Sequence, residues 1–457
     1  MREPHATRWL GGTLGTSAFV AFFLTPWLSV RVARAVPSFT RQTGFPCSSC
    51  HTMPPELTPL GRTFKLNGYT MSEKPATKVQ KKGNETGLDL SKTLPISAVF
   101  DTSFTSTNKP IPGTQNGSFQ FPQQVGLYLA GEWSTHVGGF VQVTYDAQAD
   151  HFSWDMTDFR YANSRKFMNK DLVYGITLNN NSTLEDPWNS TPAWGFPFVG
   201  DNFAPMPTAT ALLNMALAQD VAGLGAHGIW NNHLYLAGTM YRTNHIGTPQ
   251  PFTGEGSSIN IRGVAPYWRV AWQQSTTNNF LEVGTYGMYL KSTPNGVVIL
   301  KDRYTDWAVD FQYERTIPRF HNDILSFRSI YIRENAALNA TIDAEGALPI
   351  SHHLNTVQAN AEYHFGNRYT AAFGWFNTTG TADSVLYSVD DVMGSASGSP
   401  RSNGNVANVS WWPAQNIDLA VQYTGCLNFT GRFTNYEGSG WNASDNNTLY
   451  VLARFVF

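Results

Sequence analysis

The sequence predicts an all-β transmembrane barrel of roughly sixteen antiparallel strands, preceded by a small helical segment. Three observations carry this. Charged residues are only 14% of the 457-residue chain and aromatics another 14%, whereas ordinary soluble domains are about one-quarter charged. Beyond the first 35 residues no uninterrupted apolar run is long enough for a membrane helix. From about residue 95 onward, apolar and polar residues alternate with period two, the pattern of strands with one lipid-facing and one lumen-facing side.

The N-terminus reads as an export signal. Arg2 and Arg8 precede an apolar run from Trp9 to Val30, and Ala33-Arg34-Ala35 supplies small residues at a cleavage position. Residues 1–35 are therefore expected to be a signal peptide. An uncleaved anchor is the alternative, because the run is long enough to span. The net charge of −2 argues against a nucleic-acid partner.

Residues 36–94 form the second unit, short helix and turn followed by a polar linker carrying Lys74, Lys78, Lys81 and Lys82. Its centre is Cys47-Ser-Ser-Cys50-His51. Two cysteines three positions apart, followed at once by histidine, are what covalent c-type haem attachment requires. Cys47 and Cys50 would bond the porphyrin, and His51 would bind its iron as the proximal ligand. A structural zinc site would need a second ligand pair nearby, and a thioredoxin-like motif a βαβ context; neither surrounds this motif. One haem c is the expected cofactor. Cys426 is then left without a partner and reads as a small apolar wall residue.

Residues 95–457 are the expected barrel. Over residues 305–314, Trp307, Val309, Phe311 and Tyr313 oppose Asp306, Asp310, Gln312 and Glu314. Residues 356–365 and 417–424 alternate in the same way, each about long enough to cross a bilayer when tilted. The chain finishes on Leu449, Val451, Ala453, Phe455 and Phe457 along one face, similar to the terminal aromatic strand of bacterial outer-membrane proteins. The stretch 182–226 lacks clear alternation and is expected to be a long outer loop or a constriction folding into the lumen. Residues 389–405, rich in Gly and Ser, read as another surface loop.

A segment as short as 36–94 buries too little surface to shield a haem alone. A barrel of about sixteen strands has room for it in the lumen, so the segment is expected to plug the barrel. Lumen carboxylates Glu282, Asp306, Asp310, Glu314, Glu362 and Asp418 are expected to line the pore, with concentration of a small cation as the alternative role.

The stretches Pro37-Ser-Phe-Thr-Arg41-Gln42-Thr43-Gly44, Gly61-Arg62-Thr-Phe64-Lys65-Leu66-Asn67-Gly68-Tyr69 and, near the C-terminus, Asn435-Tyr-Glu-Gly438 and Asn442-Ala-Ser-Asp445 resemble the outer-membrane monohaem cytochrome c–porin fusions. The resemblance implies an electron-transfer protein that takes electrons from an extracellular donor, Fe(II) above all, and passes them to periplasmic carriers such as cytochromes. It also implies a ferrous iron oxidase activity. The alternatives are a solute-conducting porin with a haem-bearing plug or redox sensor, and outward electron flow to an extracellular acceptor. Met71 is the first candidate for the distal haem iron ligand, with His151 and His364 as competitors. Arg41 and Lys65 flank the motif and would either contact haem propionates or remain surface charges.

Overall fold

The computed structural model describes residues 36–71, 77–78, 89–90, 93–147, 150–191, 200–201, 203–207, 209–244, 260–293, 300–320, 322–341, 351–366, 368–388 and 392–457. The expected signal segment and most of the lysine-rich linker lie outside these residues.

Sixteen strands make the wall. The first eight are β1 (Ile96–Thr107), β2 (Ser118–Ser134), β3 (Val137–Asp146), β4 (His151–Phe167), β5 (Lys170–Asn179), β6 (Val221–Trp230), β7 (Leu234–Thr243) and β8 (Ala265–Ser275). The second eight are β9 (Asn279–Thr293), β10 (Asp302–Ile317), β11 (Asp323–Ala337), β12 (Ser351–Phe365), β13 (Tyr369–Gly380), β14 (Ser402–Ala414), β15 (Ile417–Asn428) and β16 (Thr448–Val456). Each pairs antiparallel with its sequence neighbour, and β16 returns to pair with β1. A seventeenth, two-residue strand (Asn260–Ile261) pairs with β9 and adds no wall of its own. Closure leaves no open edge, which is the condition for a sheet to cross lipid. Across the closing seam, Arg454 lies opposite Asp101 and binds it bidentately at 2.8 and 2.9 Å.

The alternation read from the sequence is the alternation of the wall. On β10, Trp307 and Val309 are exposed on the outside while Asp306, Asp310, Gln312 and Glu314 are buried inside. Phe119, Trp272, Phe373 and Trp375 are likewise exposed large apolar side chains on barrel strands. An apolar belt of this kind is the lipid-facing surface of an outer-membrane β-barrel. No described helix is long and apolar enough to cross a membrane; the strands do so.

The two ends of the barrel differ. At one end strands join through tight turns, as at Met168-Asn169 and Asn231-Asn232, all four with positive φ, which matches the twist of paired strands. The chain enters β1 and leaves β16 at this end, so it is the periplasmic side. The other end carries the long connections. The longest, between β5 and β6, folds into the lumen. Residues 180–191 are buried along their whole length. Within the stretch 182–226, residues 182–191 are buried in the lumen, residues 192–199 lie outside the described residues, and β6 takes over at Val221. The Gly/Ser-rich loop before β14 similarly ends at Arg401, since the strand starts at Ser402.

Three short helices, α1 (Pro37–Thr43), α2 (Cys47–Cys50) and α3 (Pro59–Leu66), lie against the inner wall. Gln42 Nε2 donates to the Ala130 carbonyl (2.9 Å) near the periplasmic end of β2. Tyr69 Oη donates to Asp158 on β4 (2.7 Å), and the Leu66 carbonyl meets His227 Nε2 on β6 (3.2 Å).

Candidate functional site

The site is built around α2, a single turn with Pro46 at its N-cap and the backbone N–H of His51 donating to the Cys47 carbonyl (2.9 Å). Residues three apart on a helix share a face, so both thiols lie on one side, immediately before His51. The His51 ring is fixed by its Nδ1–H donating to the Glu56 carbonyl (3.0 Å). A carbonyl only accepts, so this bond assigns the proton to Nδ1 and makes Nε2 the nitrogen that could bind a metal. Helix α3 presses against α2 at Gly61, where a Cβ would stand 2.2 Å from the Cys50 carbonyl oxygen. Thr58 ties the two together, accepting from Gly61 N and donating to the Ser49 carbonyl (2.6 Å).

A cavity of about 220 Å³ opens beside this turn. Its wall includes Cys47, Cys50 and His51, the rings of Phe39, Phe64 and Tyr69 from the helical segment, and Tyr128, Phe140 and Trp412 from the barrel. The lining is predominantly apolar and aromatic, with a few polar groups, the usual composition of a cofactor site. Burial pushes the Cys50 thiol up to about 11, with Cys47 adding to it. A redox Cys-X-X-Cys needs the opposite shift. The residues present fit a covalently held haem: two thiols on one face, a ring-fixed imidazole beside them, and an apolar aromatic cavity.

Lys65 and Arg41, read alike from the sequence, are placed differently. Lys65 is fully buried on the cavity wall; burial first, and then Arg160, lower it to about 8. Arg41 instead reaches out of the cavity, and its guanidinium donates to the Ile96 carbonyl at the barrel rim. The cationic group that sequence reading missed is Arg454, which lines the cavity from β16. A signal for it existed: it is the one charged residue on the inward face of the last strand.

The expected sixth ligand is not brought to His51. Met71 lines a neighbouring cavity on the other side of Cys50, together with His136. The reason is the turn at Gly68 and Tyr69, both with positive φ, which drives the Tyr69 ring into the core against Phe39 and carries the following residues away. His151 begins β4 at the outer end of the barrel, and His364 faces Glu362. Among the described residues, the cavity lined by His51 contains no second histidine and no methionine.

The lumen carboxylates are also not a bare pore lining. Glu314 is held bidentately by Arg62 of α3 at 2.9 and 3.1 Å. Glu282 and Asp310 face Arg269, Glu362 faces Arg328 (3.2 Å), and Asp418 accepts from Ser410. Asp306 and Glu334 accept the backbone N–H groups of Leu213 (3.1 Å) and Leu212 (2.9 Å) in the inward loop. Among the described residues, these carboxylates are engaged by Arg62, by wall arginines, by Ser410 and by loop N–H groups. Loop and plug also touch, with Asn189 Nδ2 donating to the Pro55 carbonyl (3.1 Å).

Above the first cavity, toward the long loops, lies a second of about 590 Å³, whose lining mixes amides and hydroxyls with apolar side chains such as Trp375 and Phe376 and carries Asp155, Asp201 and Arg328. The two cavities share Gln124, Gln142 and Asn189. Gln142 is turned toward Asp155, donating to its carboxylate at 2.7 Å.

No protein-family model and no curated protein sequence matches the chain. Solved structures similar to it include OmpF of Salmonella typhi in complex with daunomycin, at 13% identity and TM-score 0.47, covering 83% of this chain and 100% of that one. The outer membrane channel DcaP of Acinetobacter baumannii is similar at 10% identity and TM-score 0.44, covering 79% and 96%. The trimer form of OmpT, an outer membrane protein of Vibrio cholerae, is similar at 9% identity and TM-score 0.42, covering 79% and 98%.

Proposed function

We propose that this outer-membrane barrel carries one haem c in its lumen, takes electrons from an extracellular donor, Fe(II) above all, and hands them to a periplasmic carrier. The observation that carries the reading is position. Cys47, Cys50 and His51 line a cavity inside the barrel that shares three residues with the outer cavity, so a donor in the outer lumen comes close to the site without crossing lipid. Bound there, the haem supplies a one-electron acceptor. The chain's own residues do the rest. Cys47 and Cys50 would hold the group covalently, Glu56 orients His51, and Lys65 and the Asp101-paired Arg454, both on the cavity wall, would offer hydrogen-bond donors to its propionates. Gln124, Gln142 and Asn189 restrict what reaches it to small species.

A second reading is favoured by the barrel fold and by the outer cavity: a porin whose haem-bearing segment is a plug or sensor, the amides and hydroxyls in the lining suiting small polar solutes. Outward electron flow to an extracellular acceptor is the same architecture run in reverse, and a low midpoint potential would favour it. Stopped-flow mixing of the purified ferric protein with Fe(II) separates the first two. The first reading expects reduction that a Cys47→Ala protein does not show; equal traces from the two proteins would leave the porin reading.

A further inference from the structure

We propose that Glu56, Glu362 and His364 form a binding site for a divalent first-row transition metal, which clasps the N-terminal segment to the barrel wall. The site lies behind His51, apart from the cavity beside it, and does not rest on the electron-transfer reading.

The three residues converge from two parts of the chain. Glu56 lies between α2 and α3. Glu362 and His364 stand two positions apart on β12 and so point to the same, inward face. One donor atom from each lies within 4.8 Å of the others; donors on one ion with bonds of about 2.0–2.2 Å stand at most about 4.4 Å apart, so binding an ion draws the three side chains together by a few tenths of an ångström. All three side chains are buried, none more than 2% exposed. Buried carboxylates are retained where they are paired or coordinate metal.

The local charge balance leaves room for a cation. Glu56, Glu314 and Glu362 meet there with two guanidinium groups, Arg62 and Arg328. Arg62 is committed to Glu314 through two hydrogen bonds. Arg328 alone serves both Glu56 and Glu362, through their Oε1 atoms. With all three carboxylates ionised, one negative charge remains for a cation to match. The other oxygen of Glu362, Oε2, makes no hydrogen bond among the described residues and lies 3.3 Å from His364 Nε2.

The imidazole is oriented as a ligand would be. His364 Nδ1 is hydrogen-bonded to Thr370 Oγ1 (3.0 Å), which turns Nε2 toward the two carboxylates, the outer-shell support typical of metal-binding histidines. Thr52 Oγ1 donates to Glu56 Oε2 (3.1 Å) and Asn360 to Glu362 Oε1 (2.7 Å), holding both carboxylates in place. One imidazole and two carboxylates suit zinc, ferrous or manganous ions. Because the Glu56 carbonyl also fixes the His51 ring, an ion here would pin the loop that orients His51.

Zn²⁺ is the probe. The purified full-length protein is stripped with a chelator, equilibrated with zinc, and its zinc counted per chain by mass spectrometry against its sulfur. The expected result is one tightly held zinc per chain, with affinity lowered in Glu362→Gln and His364→Ala by more than the roughly 10–100-fold that loss of an outer-shell partner costs. Heat-dependent gel mobility checks that each variant barrel is folded. Zinc K-edge absorption of the wild type reads the ligands without any variant, and one imidazole with oxygen donors is expected. A wild-type protein that retains no zinc, zinc retained equally by folded variants, or a ligand set without imidazole would each overturn the site.

Discussion

The contact between Arg62 and Glu314 is expected to be the main bolt of the helical segment, and its removal gives a sharp test. Arg62 is 3% exposed and donates from both Nη atoms to the Glu314 carboxylate at 2.9 and 3.1 Å. Nη1 also donates to the Leu57 carbonyl (2.7 Å), and the guanidinium lies 3.9 Å from the Phe280 ring centroid. Breaking a buried pair by deleting one partner costs about 3–5 kcal/mol, because the remaining charge is left uncompensated. At about 1.4 kcal/mol per factor of ten, Arg62→Met should shift the docked–undocked balance of the segment by roughly 150- to 4,000-fold. Hydrogen exchange of residues 59–66, followed by mass spectrometry in detergent, reads that balance directly. Restoring neutrality with Glu314→Gln in the same chain should recover much of the loss. Lys166→Ala, which breaks an ion pair whose side chains are 69% and 76% exposed, should leave exchange unchanged. Exchange of 59–66 in Arg62→Met no faster than in the Lys166 variant would refute the reasoning.

Other consequences follow from the same contacts. Replacing Cys47 or Cys50 by alanine should cut stable haem staining on denaturing gels, while His51→Ala should keep attachment and change the optical spectrum; full staining without both cysteines would be the contrary result. Lys65 is held at about 8 against a normal 10.5. Between those values the undocked form binds more protons, so docking should strengthen as pH rises from 8 to 10.5, by up to about 3 kcal/mol. The Lys65→Met protein should lack that dependence in exchange measurements, and an identical pH profile would contradict it. Deleting residues 36–71 should leave a folded barrel, whose backbone hydrogen bonds close within the wall, and should raise single-channel conductance in planar bilayers. Unchanged conductance would mean that the segment does not obstruct the lumen.

Much of the barrel was legible because its physics is local. Lipid outside and a polar lumen inside force period-two alternation, and Trp307 against Asp306 or Leu449 against Tyr450 states which face is which. The strand number follows from length. The role of the inward loop was harder to read. Two of its buried residues bond to side chains far away on the wall, Trp188 to Gln273 (2.9 Å) and Glu185 to Thr239 (2.8 Å), and no local pattern announces partners 50 or more residues away. The same holds around Cys47, Cys50 and His51. Their spacing is a local signature, visible in five residues. Arg454, Gln142 and Asn189 reach the cavity only through closure of the barrel and inward folding of the loop. Sequence distance from His51 points to Met71 and Arg41, whereas their places are set by the Gly68–Tyr69 turn and by the edge of β1. Glu56 gave no signal at all, since what fixes His51 is its backbone carbonyl, which every residue type carries.

The most direct test of the account is sided electron transfer. The protein is reconstituted into sealed vesicles with the long-loop end outward and oxidised cytochrome c enclosed. Fe(II) is added outside, and reduction inside is followed optically. The account predicts rapid internal reduction that requires Cys47, Cys50 and His51 and is absent with the Cys47→Ala protein. Reduction seen only after the vesicles are broken, or equally with that variant, would contradict it.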